Sequence, residues 1–270
     1  MNATTWRSLG EWTDAVRAEW IKLRTAPGML WLLPVTMIVT VTLSVAAIAT
    51  TADCVSGGCA VDPAKVSLTG VDLGQAIVAV LAVMAIGTEY STGMIGITLA
   101  AVPRRGTMLL AKLAILVGLV AATATPAVLA SLLAGRLILP GRGYSAVHGY
   151  AAMSLQDGPT LRAAAGSVLY LLLITGLSLG VATAVRDSAS AIGIVLGLVY
   201  LFPIIIGSVS DATWRRHLEQ IAPMTAGLAI QSTAHLKSPP IGGWAGLGVL
   251  AIWATCALVI GGLLLHRRDA

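Results

Sequence analysis

The one nucleophile motif in this 270-residue chain is Gly176-Leu-Ser-Leu-Gly180, the G-x-S-x-G spacing that places a hydrolase serine on a sharp turn for acyl transfer. That chemistry needs a strand before the turn and a histidine base within reach, and here Ser178 stands among leucines in a long apolar run. The four histidines, His148, His217, His235 and His266, all fall in polar segments or at the edge of apolar ones, without metal-ligand spacing. Cys54 and Cys59, with Gly57-Gly58 between them, can close a small disulfide loop if they face an oxidising compartment, a geometry the spacing permits without demanding. Cys256, inside another apolar run, reads as a packing residue. No G-x-x-x-x-G-K-[ST] occurs, so no nucleotide is held through a P-loop. Asp72 and Glu89 are acidic groups at the two ends of the same apolar run. The sequence therefore assigns no catalytic residue, no bound cofactor and no metal to this chain.

What positions these residues is a membrane. Hydrophobic residues make up 57% and charged residues 11% of the chain, against about 25% charged in soluble domains. The mean hydropathy is +0.87. These values exclude soluble, disordered, collagenous and disulfide-scaffold classes. Six runs are long enough to span a bilayer: Met29 to Thr50, Val71 to Thr88, Leu109 to Ala134, Ala163 to Val185, Ala189 to Ser208 and Trp244 to Leu265. The fold class expected is an all-α integral membrane protein with six transmembrane helices. The domain plan is residues 1–28 as an N-terminal segment, 29–265 as one six-helix transmembrane domain, and 266–270 as a short tail. Segments 1–28, 89–112, 186–188 and 266–270 hold ten of the 17 basic residues, which places both termini in the cytoplasm. Net charge of +5 is scattered between spans, so no nucleic-acid face forms. Arg exceeds Lys thirteen to four, a bias of GC-rich bacterial genomes.

Three polar segments carry pattern. From Ser8 to Thr25, Leu9, Trp12, Val16, Trp20 and Leu23 recur at helical spacing, a stripe suited to a helix lying in the cytoplasmic interface; the alternative is a short solvated tail. The core from Thr92 to Val102 is too short to span and is stopped by Pro103. Its apolar residues Met94, Ile95, Ile97 and Leu99 suit either a partner's groove or packing back on the bundle. Glu89, at the membrane edge, reads as a helix cap or a salt-bridge partner. In 209–243, Asp211 is an N-cap for a helix with Trp214, Leu218 and Ile221 on one face, ended by Pro223, and Thr225 to Leu236 forms a second. These suit short helices dipping into the outer leaflet or an ordinary extracellular cap. Gly176 and Gly180, and Gly193 and Gly197, have the spacing of close helix crossings. The midplane of the spans holds Ser, Thr and Gly but no charge, so any uphill transport draws its energy from another subunit.

Four patches resemble the permease subunits of ABC-2 type transporters (type V ABC exporters), in particular short actinobacterial members. They are Ala18-Glu-Trp-Ile-Lys-Leu-Arg-Thr25, Gly87-Thr-Glu-Tyr-Ser-Thr-Gly-Met-Ile95 running on to Leu99-Ala-Ala-Val-Pro-Arg-Arg-Gly106, Ala222-Pro-Met-Thr-Ala-Gly227, and Leu265-His-Arg-Arg-Asp-Ala270. With the six-span plan the resemblance covers essentially the whole chain, and the second patch is the most specific. It implies that Ser8–Thr25 is an elbow helix and that residues 92–102 form a cytoplasmic coupling helix. Glu89, Tyr90, Thr92, Gly93, Met94, Ile95, Ile97 and Leu99 would then serve coupling to an ATP-binding subunit. It implies re-entrant helices at 211–236, two ATPase subunits that bind ATP and Mg2+, and a second permease as homodimer or heterodimer partner. It also implies export of a small hydrophobic, peptide or lipid-like substrate across a bacterial plasma membrane. Related sequences often carry Arg where Gly96 stands, a departure that bears on the docking contact. The alternatives to this non-enzymatic transport role are an ATP-independent carrier or channel, and an intramembrane enzyme.

Overall fold

The computed structural model describes residues 3–25, 27–52, 61–101, 105–144, 154, 156–233 and 241–267. Among them there is no strand, and six helical spans are long and apolar enough to cross a bilayer, as the runs require. The chain enters through α1 (Ala3–Thr25) and continues as the first span, α2 (Pro27–Thr50), which opens on Pro27. A short helix, α3 (Pro63–Ser67), precedes the second span, α4 (Val71–Ser91). Next come the stub α5 (Met94–Ala101) and the third span, α6 (Arg105–Ile138). The fourth span is α7 (Gly158–Val185). At 34 residues α6 is about 51 Å long, so it overruns a hydrocarbon core of about 30 Å, and its expected bounds of 109–134 are only its apolar middle.

The fifth span is built in three pieces: α8 (Ser188–Leu196), a π-helical turn over Gly197–Leu201, and α9 (Phe202–Gly207). Pro203 explains the middle piece. A proline ring clashes with the carbonyl four residues back, here Val199, and widening the turn relieves that clash.

Beyond the bundle, α10 (Ala212–Ile221) starts where expected, with Asp211 Oδ1 accepting from the N–H groups of Thr213 (2.8 Å) and Trp214 (3.1 Å). It buries no residue, and Trp214 and Ile221 stay exposed. The second helix of this region is shorter than expected and starts earlier. It is α11 (Pro223–Leu228), with Pro223 in the first turn where its missing N–H costs nothing, followed by a 3-10 turn over Ala229–Gln231. Residues 234–236 lie outside the described set. The last span is α12 (Gly243–Arg267).

The central spans are α4 and α7. Four buried hydroxyls of α7 bond within the helix: Ser167, Thr175, Ser178 and Thr183 donate to the carbonyls four residues earlier at 2.7–2.8 Å, while the Tyr170 hydroxyl donates across to Gln75 Oε1 on α4. Each of these hydroxyl donors is thus met in a medium without water. A close crossing joins α7 to α12. A Cβ on Gly180 would stand 2.5 Å from the main chain of Ala257 and Leu258, and one on Gly261 would stand 2.6 Å from the Gly180 carbonyl oxygen. Gly193 and Gly197 do not share this role. Nothing lies within 4 Å of their Cβ positions, because α8 turns that face out of the bundle. Cys256 is likewise exposed on α12 and packs nothing in the core.

Candidate functional site

The first residue of α6 and the residue that ends α7 both reach the last turn of α12, at one end of the bundle. Arg105 donates to the carbonyls of Leu265 and His266, and Arg186, a C-cap with φ of 63°, reaches the Leu264 carbonyl at 3.4 Å. At this end α1 lies chiefly on α6, and it does so with a charge turned inward. Among the residues of α1 whose burial is described, Ala15, Glu19 and Leu23 are buried, spaced at i, i+4 and i+8, with Trp12 and Val16 half-buried beside them. Trp20 is 44% exposed and points away from the bundle, so the inward stripe is rotated from the one the large apolar residues suggested. The reason is partnership: an amphipathic Trp is at home at a membrane interface, whereas a buried carboxylate is tolerated only when paired.

Glu19 is paired twice. Its Oε1 accepts from Lys22 at 2.8 Å and its Oε2 from Lys112 of α6 at 2.5 Å. The same two lysines reach Glu89 Oε1 on α4, Lys22 at 3.1 Å and Lys112 at 2.8 Å. Lys112 gives its third N–H to the Ala85 carbonyl at 3.0 Å, so all three of its donors are met. The side chains of Lys112, Glu19 and Glu89 are 3%, 4% and 7% exposed, that of Lys22 27%. Two carboxylates and two ammoniums thus make a neutral network that ties α1, α4 and α6 into one body. Glu89 is a salt-bridge partner and not a cap.

For Lys22, burial alone would lower the pKa, but hydrogen bonding and charge from Glu19, then from Glu89, outweigh it and hold the ammonium above the ordinary lysine value of 10.5. A raised lysine pKa contributes stability in full below 10.5, and that contribution is lost as the pH climbs through the raised value. The Lys22 part of the network is therefore expected to be constant through neutral pH. Thermal unfolding of the wild-type chain against Lys22→Met should show a gap that holds through neutral pH and closes only in strong alkali.

The network forms one wall of an open cleft of about 210 Å³, whose other lining residues include Thr25, Met29, Thr88, Thr92 and Met94. Three of the four carboxylate oxygens are bonded to lysine; Glu89 Oε2 is buried with no partner among the described residues. At the mouth, Thr92 donates to the Thr88 carbonyl and closes α4, and Gly93, with φ of 71°, makes the left-handed step into α5. On α5, Met94 (44%) and Ile97 (73%) are exposed while Ile95 is buried. Tyr90 lies under the Arg186 guanidinium, 5.5 Å from ring centroid to Cζ. Leu9 and Leu99 fall in α1 and α5, their side chains outside the described set, and Cys54 and Cys59 lie outside the described residues.

The structure thus brings Glu89, Thr92 and Met94 together around one cleft, and adds Glu19, Lys22 and Lys112, to which the sequence reading gave no site role. A signal for them was present: a lone lysine inside the apolar run from Leu109 implies a buried partner, and Glu19 shares the i, i+4 row of Ala15 and Leu23. Ser178 is fully buried and donates to the Ile174 carbonyl. No protein-family model and no curated protein matches this chain.

Proposed function

We propose that this chain is the membrane-spanning permease subunit of an ATP-driven exporter of the ABC-2 type, with its termini in the cytoplasm of a bacterial plasma membrane. A separate ATPase subunit, which carries ATP and Mg2+, docks on α5, and a second permease completes the transport path. The chain itself performs no catalysis; it couples hydrolysis in its partner to export of a small hydrophobic, peptide or lipid-like molecule. The observation that supports this most is α5 and its mounting. A two-turn helix presents Met94 and Ile97 outward, one turn apart, and the helix before it is bonded through Glu89 to α1 and α6. An exposed apolar stub of that kind suits a partner groove. A push on α5 is passed to α4 across the short Thr92-Gly93 turn, and from Glu89 to the first and third spans together.

The test is purification of tagged full-length chain from mild-detergent extracts of native membranes, beside a variant with residues 92–99 scrambled. A Walker-motif ATPase that co-purifies with the wild type and disappears with the scramble is the expected result. A folded protein that brings down no ATPase, even after cross-linking, overturns the reading in favour of an ATP-independent carrier.

A further inference from the structure

Among the residues whose burial is described, α1 shows three different sides, and two of them are accounted for. The row Ala15, Glu19 and Leu23 faces the bundle and carries part of the ion network. Asp14, Ala18 and Thr25 are exposed and small or polar, as a water-facing side should be. The third side is neither. Arg17, Trp20 and Arg24, at i, i+3 and i+7, form an exposed row with Ile21 beside it. Neither guanidinium has a hydrogen bond or ion pair among the described residues, and Asp14, one turn before Arg17, makes no bond to it. Two large apolar side chains between two unpaired cations suit neither water nor a protein core.

The next helix says what adjoins this side. In α2 the exposed residues Trp31, Val35 and Ile38, at i, i+4 and i+7, form an outer face of the first span, and Trp31 stands about 6 Å from its start. The outer face of a span belongs to hydrocarbon, so α1, which runs into it, lies at the depth where headgroups begin. There Trp20 and Ile21 suit the glycerol and upper acyl carbons, and an arginine suits a phosphate, which it can grip with two parallel N–H groups. Arg17 and Arg24 are about 10 Å apart along the helix axis, within reach of one headgroup above Trp20. Charge selects the kind of lipid. The four-residue network is neutral in itself, and two arginines against Asp14 leave the outer surface of α1 positive. An anionic headgroup matches that surface, whereas a zwitterion brings its own cation to it.

We propose that the row Arg17, Trp20 and Arg24 of α1 is a docking site for an anionic phospholipid of the leaflet on the side of the chain termini. The two guanidiniums hold its phosphate, and Trp20 with Ile21 lies against its glycerol and upper acyl carbons. Bound there, the lipid covers the side of α1 that suits neither bundle nor water. It also keeps the helix rolled so that Glu19 faces Lys112.

The experiment uses full-length protein in nanodiscs of phosphatidylglycerol and phosphatidylcholine at one fixed ratio, with either the first or the second lipid brominated near the glycerol end of its acyl chains. Trp20 emission is read as the difference between the wild type and Trp20→Phe. The expected result is that brominated phosphatidylglycerol quenches Trp20 as if enriched roughly fivefold or more over its share of the disc. Raised salt should pull that preference toward none. Arg17→Gln with Arg24→Gln should abolish it while total quenching by lipid persists, and neither change touches the ion network. Arg17→Lys with Arg24→Lys, which keeps the charge, should retain much of it. Equal quenching by the two brominated lipids in the wild type overturns the proposal, since α1 then meets only bulk bilayer. Quenching by aqueous acrylamide and by neither lipid overturns it too. So does protection from all three quenchers, which means that a protein surface covers the row. A preference that survives the glutamine pair overturns the role of the arginines. None of these outcomes depends on an ATPase partner, so a failed pull-down leaves them unaffected.

Discussion

Replacing Lys112 with methionine is expected to destabilise the protein by about 3–5 kcal/mol, the cost typical of removing one partner from a buried ion pair. The size follows from what stays behind. Glu19 and Glu89 would remain buried with Lys22 as their one shared cation, and the Ala85 carbonyl would lose its donor. Methionine fills nearly the same volume, so the loss reports charge and hydrogen bonding more than packing. The thermal midpoint of the detergent-solubilised variant should fall well below that of the wild type. Adding Glu19→Gln should recover part of the loss, because the double variant keeps the Lys22–Glu89 pair and buries no unmatched carboxylate. Lys112→Arg should be intermediate: it keeps the charge, but a planar fork cannot aim three bonds as the ammonium does. A Lys112→Met variant that melts with the wild type would mean that the network does not hold α1, α4 and α6 together.

The second large effect separates two glycine pairs that look alike in the sequence. Gly180→Ala is expected to cost about 1–3 kcal/mol or more, because its methyl would meet the Ala257–Leu258 main chain at 2.5 Å and the two helices must part to admit it. Backbone atoms, unlike a flexible side-chain end, have nowhere to turn. Gly193→Ala should be neutral or stabilising by up to about 1 kcal/mol, because its Cβ meets nothing within 4 Å and alanine is the better helix former. Paired thermal melts in one detergent decide it, and equal midpoints for the two variants would contradict the assignment of the α7–α12 crossing.

The contrast between those glycines shows where a sequence stops being readable. Gly176-x-x-x-Gly180 and Gly193-x-x-x-Gly197 have the same spacing, and spacing says only that a helix has a smooth stripe. Which stripe meets another helix is settled by the partner, and α12 lies on the first while the second faces outward. Trp20 and Glu19 repeat the lesson on α1. In a soluble protein the tryptophan would be expected inside and the glutamate outside. Next to a bilayer the outside is itself apolar, and the glutamate is drawn inward by two lysines, one of them 93 residues away.

By itself, the sequence determined the medium, the six spans, the all-helical class, the proline that opens the first span, the Asp211 cap and the short stub after the second span. These follow from hydropathy summed over about 20 residues and from local turn chemistry, both of which act along the chain. Only the tertiary structure decided that Glu19, Lys22, Glu89 and Lys112 share one buried network, that a cleft opens beside it, and that one carboxylate oxygen there has no donor among the described residues. Charges in a low-dielectric interior must find partners wherever the chain crossing supplies them, and the residues that meet are separated by up to 93 positions. No local periodicity encodes that meeting, because it is fixed by which helices pack together.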